Sequence, residues 1–234
     1  MKNIFFLLFI LAGYTATSQL NKGDLYLGGS LGMSSSKNNN NNTQPAPYSE
    51  NSSSTNNNLN LSPRIAYFLK DKLAIGVGLN SNYNKYENLY DYYSYGVHSQ
   101  SNDNQSKNFT YSFRPFIRQY FSLGSSVAIF INANAFIGLG NSKSSTHTAT
   151  TDPNDGTISI TDGNSKSKST NWGAGITPGF AFFPSKKWSI EFSFASVGYN
   201  ASKVKETKSK DHSFGLSYGV ATFNVGVSYY LRSN

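Results

Sequence analysis

An all-β chain closed into a single eight-stranded antiparallel up-and-down barrel is what this amino-acid sequence predicts, and three observations carry the expectation. Apolar residues recur at every second position in eight segments, short turns alternate with long polar connections, and the face opposite each apolar row is polar and glycine-rich. Composition agrees. The 234 residues include 20 Gly, 16 Tyr and 17 Phe, and charged side chains make up 14%, against roughly 25% in ordinary soluble domains.

The chain opens with a predicted secretory signal peptide, residues 1–18, which leaves 19–234 as one barrel domain. Lys2 precedes an apolar run from Ile4 to Gly13, half the roughly 20 residues a membrane-spanning helix needs. A small-residue cleavage site, Ala16-x-Ser18, follows it. No later stretch is apolar enough for a transmembrane helix. With no Cys there is no disulfide framework, thiol catalysis or Cys-ligated zinc. The net charge of +8 comes from Lys residues scattered through polar segments rather than from a basic stripe, so nucleic acid is not an expected partner.

The strands follow from period two. Leu25, Leu27, Leu31 and Met33 share a face in the first. Leu59, Leu61, Ile65, Tyr67 and Leu69 do so in the second, and Leu73, Ile75, Val77 and Leu79 in the third. Phe109, Tyr111, Phe113, Ile117 and Phe121 mark the fourth, and Val127, Ile129, Ile131, Ala135, Ile137 and Leu139 the fifth. Trp172, Ile176, Phe180 and Phe182 mark the sixth, and Trp188, Ile190, Phe192 and Phe194 the seventh. The eighth carries Phe223, Val225, Val227, Tyr229 and Leu231. Tight turns near Lys70–Lys72, Ser122–Ser126 and Phe183–Lys187 alternate with long polar links at Ser34–Asn58, Asn84–Lys107, Asn141–Ser169 and Tyr199–His212.

The faces decide the solvent. None of the apolar rows carries a charge, whereas a soluble barrel with an apolar lumen would expose a charged exterior. Lipid outside requires every backbone group to be paired within the sheet, which only a closed transmembrane β-barrel achieves. Short periplasmic turns alternating with long extracellular loops match that layout. An internal repeat, aligned on Pro63, Pro115 and Pro178, places three descending strands that end in aromatic residues. A lower aromatic girdle is expected from Tyr67, Phe68, Tyr120, Phe121, Phe182, Phe183, Trp188, Tyr229 and Tyr230. Tyr83, Phe109, Tyr111, Trp172, Phe194, Tyr199, Phe214 and Tyr218 would form the upper one. Local bulges are expected at the three prolines, which lack an N–H for the ladder.

The opening Gly23-Asp-Leu-Tyr-Leu-Gly-Gly-Ser-Leu-Gly32, the descents Ser62 to Leu69 and Phe113 to Phe121, and the close Phe223 to Leu231 together resemble the small outer-membrane β-barrel domain family of Gram-negative bacteria. The OmpA-type, OmpX-type and OmpW-type barrels belong to that broad group. The resemblance spans the whole mature chain. It implies residence in the cell outer membrane as a monomer, contact with outer-membrane lipid and lipopolysaccharide, and handling by the barrel assembly machinery. It implies no cofactor and no shared catalytic motif.

Two G-x-S-x-G matches, around Ser30 and Ser217, sit in strand-like segments with no helix to follow, which a nucleophile elbow requires. His98, His147 and His212 lie in polar links without metal-ligand spacing, so no catalytic, cofactor-binding or metal site is expected. The candidate site is instead a lumen charge cluster: by parity Arg64, Arg114, Arg118 and Glu191 all face inward near the periplasmic turns. An eight-stranded interior is just wide enough for side chains to fill, and a buried charge there has to be paired. The expected role is structural or surface-interacting, not enzymatic, with the lumen plugged by side chains, among them the large inward Tyr26, Phe116, Tyr120, Phe130 and Phe136, and Asn/Ser/Thr/Lys-rich loops mobile outside. A narrow porin-like channel is the alternative, followed by a lipid-modifying barrel enzyme with His98, Ser99 and Ser101 at the rim.

Overall fold

The computed structural model describes residues 20–43, 48–94, 97–152, 155–193, 195–207, 209–218 and 224–232. The predicted signal peptide lies outside them. Ten antiparallel strands follow in order: β1 (Leu25–Thr43), β2 (Tyr48–Lys70), β3 (Leu73–Ser94), β4 (Val97–Ser122), β5 (Val127–Thr151), β6 (Ile158–Ser185), β7 (Trp188–Ser193), β8 (Ala195–Val204), β9 (Lys210–Tyr218) and β10 (Asn224–Leu231). They make a ring of eight positions. Each of β1 to β6 pairs with the next, β6 pairs with β7, β7 with β10, and β10 returns to β1. The seventh position is shared, because β8 pairs with β6 above β7, and the eighth likewise by β9 above β10.

The predicted tight turns are present at one end. Lys70 pairs with Leu73 across a two-residue loop in which Lys72 takes a left-handed conformation, φ 63°. The prolines behave differently from expectation at two sites. Pro63 stays opposite Gly29 and Pro115 opposite Val77, with no register shift at either. Their other edges skip pairing, between Leu61↔Ser81 and Arg64↔Gly78 and between Phe113↔Ile137 and Phe116↔Asn134. Each missing N–H therefore interrupts one ladder rather than bulging the strand. Beside Pro178 the partner register of β6 does slip by one residue, from Ile176↔Val197 to Gly179↔Ser193.

Three of the long links predicted as mobile loops are themselves paired strands. β1 and β2 stay in register to Thr43↔Ser49 and β5 and β6 to Thr151↔Ile158, while β3 and β4 pair to Ser94↔Val97 with a one-residue shift between Tyr92 and Tyr93. The fourth link also shortens, since β8 runs to Val204 and β9 starts at Lys210. Polar side chains bridge these hairpins: Ser35 Oγ donates to Asn57 Oδ1 at 2.7 Å, Asn84 Nδ2 to Asn56 Oδ1 at 2.7 Å and Thr148 Oγ1 to Asn102 Oδ1 at 2.6 Å. With a rise of about 3.4 Å per residue, the part of β1 beyond Met33 alone extends roughly 34 Å along the strand past the apolar row. The wall is tall on β1 to β6 and low on β8 and β9.

Outward rows are apolar and exposed, as at Leu31 (63%), Ile137 (58%) and Val77 (38%), while the buried core lies in the lumen around Tyr26, Phe68, Phe116, Tyr120, Phe130, Phe183 and Tyr230. On β1, β2, β4, β5 and β6 the belt runs for about 9 to 13 residues, close to the 9–11 that a tilted strand needs to cross the hydrocarbon. This corrects the predicted lower girdle. Tyr67, Phe121 and Trp188 do face outward, but Phe68, Tyr120, Phe183 and Tyr230 are 0–1% exposed inside the barrel. Neighbouring aromatics in a strand point to opposite faces, so a pair such as Tyr67-Phe68 cannot place both rings in lipid. Of the upper set, Tyr83, Phe109, Tyr111, Trp172, Tyr199 and Phe214 face outward. Phe194 and the side chain of Tyr218 lie outside the described residues.

Candidate functional site in the barrel lumen

Side chains on β4 and β7 meet in the centre of the lumen. Arg118 alternates inward with Phe116 and Tyr120, and Glu191 with Ser189. Arg118 Nη1 donates to Glu191 Oε2 at 2.7 Å, and lies 3.1 Å from the Tyr120 hydroxyl and 3.3 Å from that of Tyr26. Arg118 Nε donates to Asn132 Oδ1 at 3.3 Å. Glu191 Oε1 accepts from Ser228 Oγ at 3.0 Å and lies 3.4 and 3.5 Å from the hydroxyls of Tyr120 and Tyr230. The Arg118 guanidinium stands 4.3 Å from the Phe130 ring centroid and 5.3 Å from that of Tyr26, within cation–π range. Arg118 is 1% and Glu191 5% exposed, so the pair satisfies the demand that buried charge be matched.

Room for the aromatic rings comes from glycines directly across the ladder. Phe130 stands opposite Gly179 and Phe136 opposite Gly173. A Cβ on Gly173 would lie 2.7 Å from Phe136 Cε1, and one on Gly179 would enter the Phe130 ring. Beneath the ion pair the rings close the periplasmic end. Phe68 stacks on Tyr120 at 5.9 Å between centroids, Phe183 lies 5.7 Å from Tyr230, and Tyr230 meets Tyr26 edge-on at 5.6 Å. Leu20 is buried at that end, its carbonyl accepting from Lys72 N at 2.9 Å. Arg232 Nη1 donates to Asp24 Oδ2 at 2.6 Å beside it.

The four predicted residues thus divide. Arg118 and Glu191 form the pair. Arg64 and Arg114 lie at one level, on either side of Gly78 in register, and neither forms an ion pair among the described residues. Arg114 Nε donates to Ser112 Oγ at 3.2 Å, and its guanidinium lies 4.9 Å from the Phe136 centroid. Sequence reasoning counted Tyr120 both in the girdle and among the large inward residues, and missed the hydroxyl partner Tyr230 by assigning it to lipid alone. Counting parity from Phe121 and Tyr229 places both inside.

The other candidates stay apart from this site. Ser30 lies mid-strand in β1 opposite Ser62, and the side chains of Ser217 and His98 lie outside the described residues. His147 Nδ1 is 2.5 Å from Asp162 Oδ1 and His212 Nδ1 2.6 Å from the Tyr199 hydroxyl, both on exposed cross-strand pairs. Among the described residues no cluster of three or more His, Asp or Glu is arranged to hold a metal.

A closed, even-numbered antiparallel ring with an apolar outer belt, short turns at one end and tall hairpins at the other is a transmembrane β-barrel of the outer-membrane type. Water could not solvate such a belt on a monomer, and the outer membrane is where this architecture resides. Solved structures with this fold include a major outer membrane protein from Thermus thermophilus, with 14% identity, covering 90% of this chain and 100% of that one at TM-score 0.38. OprG from Pseudomonas aeruginosa shows 12% identity, 91% and 98% coverage and TM-score 0.35. The attachment invasion locus protein Ail of Yersinia pestis shows 13% identity, 90% and 99% coverage and TM-score 0.30. No protein-family model and no curated protein matches the chain. The fold assignment rests on the ring and the belt.

Proposed function

We propose that this barrel is a closed, non-conducting outer-membrane protein whose work is done at the cell surface by its tall polar hairpins. One observation carries the proposal: the Arg118–Glu191 pair, Tyr26, Tyr120 and Tyr230 are buried together inside the ring, with Phe68, Phe183 and Leu20 buried beneath them. A pore would need this whole layer to move. The paired hairpins add a second support, since a rigid polar wall presents a fixed surface to a partner where mobile loops would first have to be ordered. No enzymatic step enters the proposal. The refolded protein in planar bilayers should show no single-channel steps, and steady openings in the wild type would overturn the plugged lumen.

The surface role includes the lipid that surrounds it. Lys85, Lys107, Lys143 and Lys166 stand side by side in register on four neighbouring strands. They share the outward parity of Tyr83, Phe109, Leu139 and Trp172 and begin two to six residues above them. Like charges directly opposite one another destabilise a sheet. Among the described residues only Lys85 of this row has a carboxylate, Glu87 Oε1 at 2.7 Å, and the contact holds that carboxyl below its usual range. Anionic phosphates of lipopolysaccharide at the outer-leaflet surface would supply the missing counter-charge for the row.

A further inference from the structure

We propose that the lumen above the ion pair is a binding site for a small oxyanion of the phosphate or sulfate class, entered from the cell exterior. The inference goes beyond the surface role and does not depend on whether the barrel conducts.

The charge does not balance. Among the described residues three guanidinium groups face the spanning part of the lumen, and the one carboxylate among them, Glu191, is taken by Arg118 Nη1. Arg64 and Arg114 rise from the same level with only Gly78 between them, and a Cβ on that glycine would lie 3.1 Å from Arg64 Cγ. The Arg64 stem therefore passes over Gly78 on the side of Arg114. Two cations brought together in a partly dehydrated space repel strongly, and an anion between them removes that cost.

A second, independent observation points to the same place. Arg118 is almost wholly buried, yet its Nη2 has no hydrogen-bond partner. Arg118 lines a cavity of about 100 Å³ together with Arg64, Arg114, Ser62, Asn132 and Thr177. That volume corresponds to roughly three waters at about 30 Å³ each, the scale of one tetrahedral oxyanion. The walls present donors from three guanidinium, three hydroxyl and two amide groups, and planar guanidinium forks suit two-point contact with oxyanions. Above it the lumen widens to about 610 Å³, still lined by Arg64, Arg114 and Thr177 and now by Asn60 and Asn80. Access is upward, because the floor beneath Glu191 is packed with aromatic rings.

The full chain, refolded in a zwitterionic detergent free of phosphate groups, tests this by titration calorimetry at constant ionic strength. Inorganic phosphate and sulfate should bind saturably where chloride does not. Arg64→Gln and Arg114→Gln should each weaken binding on the order of tenfold, the scale of a hydrogen bond to a charged group. Arg114→Lys, which keeps the charge and loses the fork, should fall between, and Lys70→Gln, exposed at the β2–β3 turn, should leave binding unchanged. Heat-modifiable gel migration verifies that each variant is folded. Glucose 6-phosphate and lipid A serve as further arms. Binding of the free anion or the soluble ester places the site in the lumen as proposed. Binding of lipid A alone, equal response to chloride, or phosphate binding untouched in the Arg64→Gln/Arg114→Gln double variant would each overturn it.

Discussion

Arg118 and Glu191, 73 residues apart on β4 and β7, are joined at 2.7 Å across the lumen and enclosed by three tyrosines. The pair ties together strands that share no ladder. Glu191→Gln keeps the shape but only one acceptor oxygen, so of the Tyr26 hydroxyl on Oε2 and the Ser228 hydroxyl on Oε1 only one can still donate, and the guanidinium is left without its carboxylate. Removing one partner of a buried pair costs about 3–5 kcal/mol, and urea refolding titrations in lipid should show a loss of that order. Conductance should remain silent, because the rings beneath the pair stay in place. Channel openings in this variant would identify the pair as a gate instead.

The outward parity of β3 has its own test. Val77 sits mid-belt and is exposed to lipid, so Val77→Arg should cost about 2–4 kcal/mol, since hydrocarbon cannot solvate the charge. Inward Thr110→Ser should be close to neutral. Asn132 is not a silent control, although its polar type suggests one: its Oδ1 accepts from Arg118 Nε. Refolding titrations that find Val77→Arg and Thr110→Ser equally mild would reverse the assigned faces.

What was legible in the sequence, and what was not, follows from where side chains contrast. Rows such as Leu73, Ile75, Val77 and Leu79 alternate with glycine and Asn80, so strand and face could be read directly. The Asn and Ser residues of 34–58 carry no contrast between faces, so periodicity was silent and composition suggested a loop. Backbone pairing and bridges such as Ser53 Oγ to Asn39 Oδ1 at 2.9 Å make strands there instead. The candidate site was half legible. Parity placed all four charges inside, but which arginine would take Glu191 depends on stagger between strands far apart in the ring. Of the tyrosine partners, Tyr26 and Tyr120 were read as inward, and Tyr230 was hidden by reading adjacent aromatics as a single girdle.

Gly179 and Phe130 form a cross-strand pair in which the absent side chain makes room for the ring. Gly179→Ala should force the ring aside and cost about 1–3 kcal/mol, as overpacking does, while Phe130→Ala alone should cost about 3–5 kcal/mol. If the two share that space, the double variant should be more stable than the sum of the single losses implies, and a double-mutant cycle measures the coupling. Strict additivity would show that the ring does not rest on Gly179.

The lysine row makes the last prediction. Lys107 and Lys143 face each other across β4 and β5 and are exposed, with no carboxylate paired to either among the described residues. A lysine near an anionic surface contributes about 1 kcal/mol, so Lys107→Gln and Lys143→Gln should each weaken stabilisation by lipopolysaccharide roughly fivefold in apparent affinity. The contribution should shrink as salt rises, because exposed charges are screened beyond about 8 Å at physiological ionic strength. Thermal midpoints in proteoliposomes with and without lipopolysaccharide, at low and high salt, provide the readout. The lumen should not respond: Arg64→Gln leaves the outer face intact and should preserve the lipopolysaccharide effect in full. A stabilisation that survives both lysine changes would mean that the row is only a solvated charge stripe.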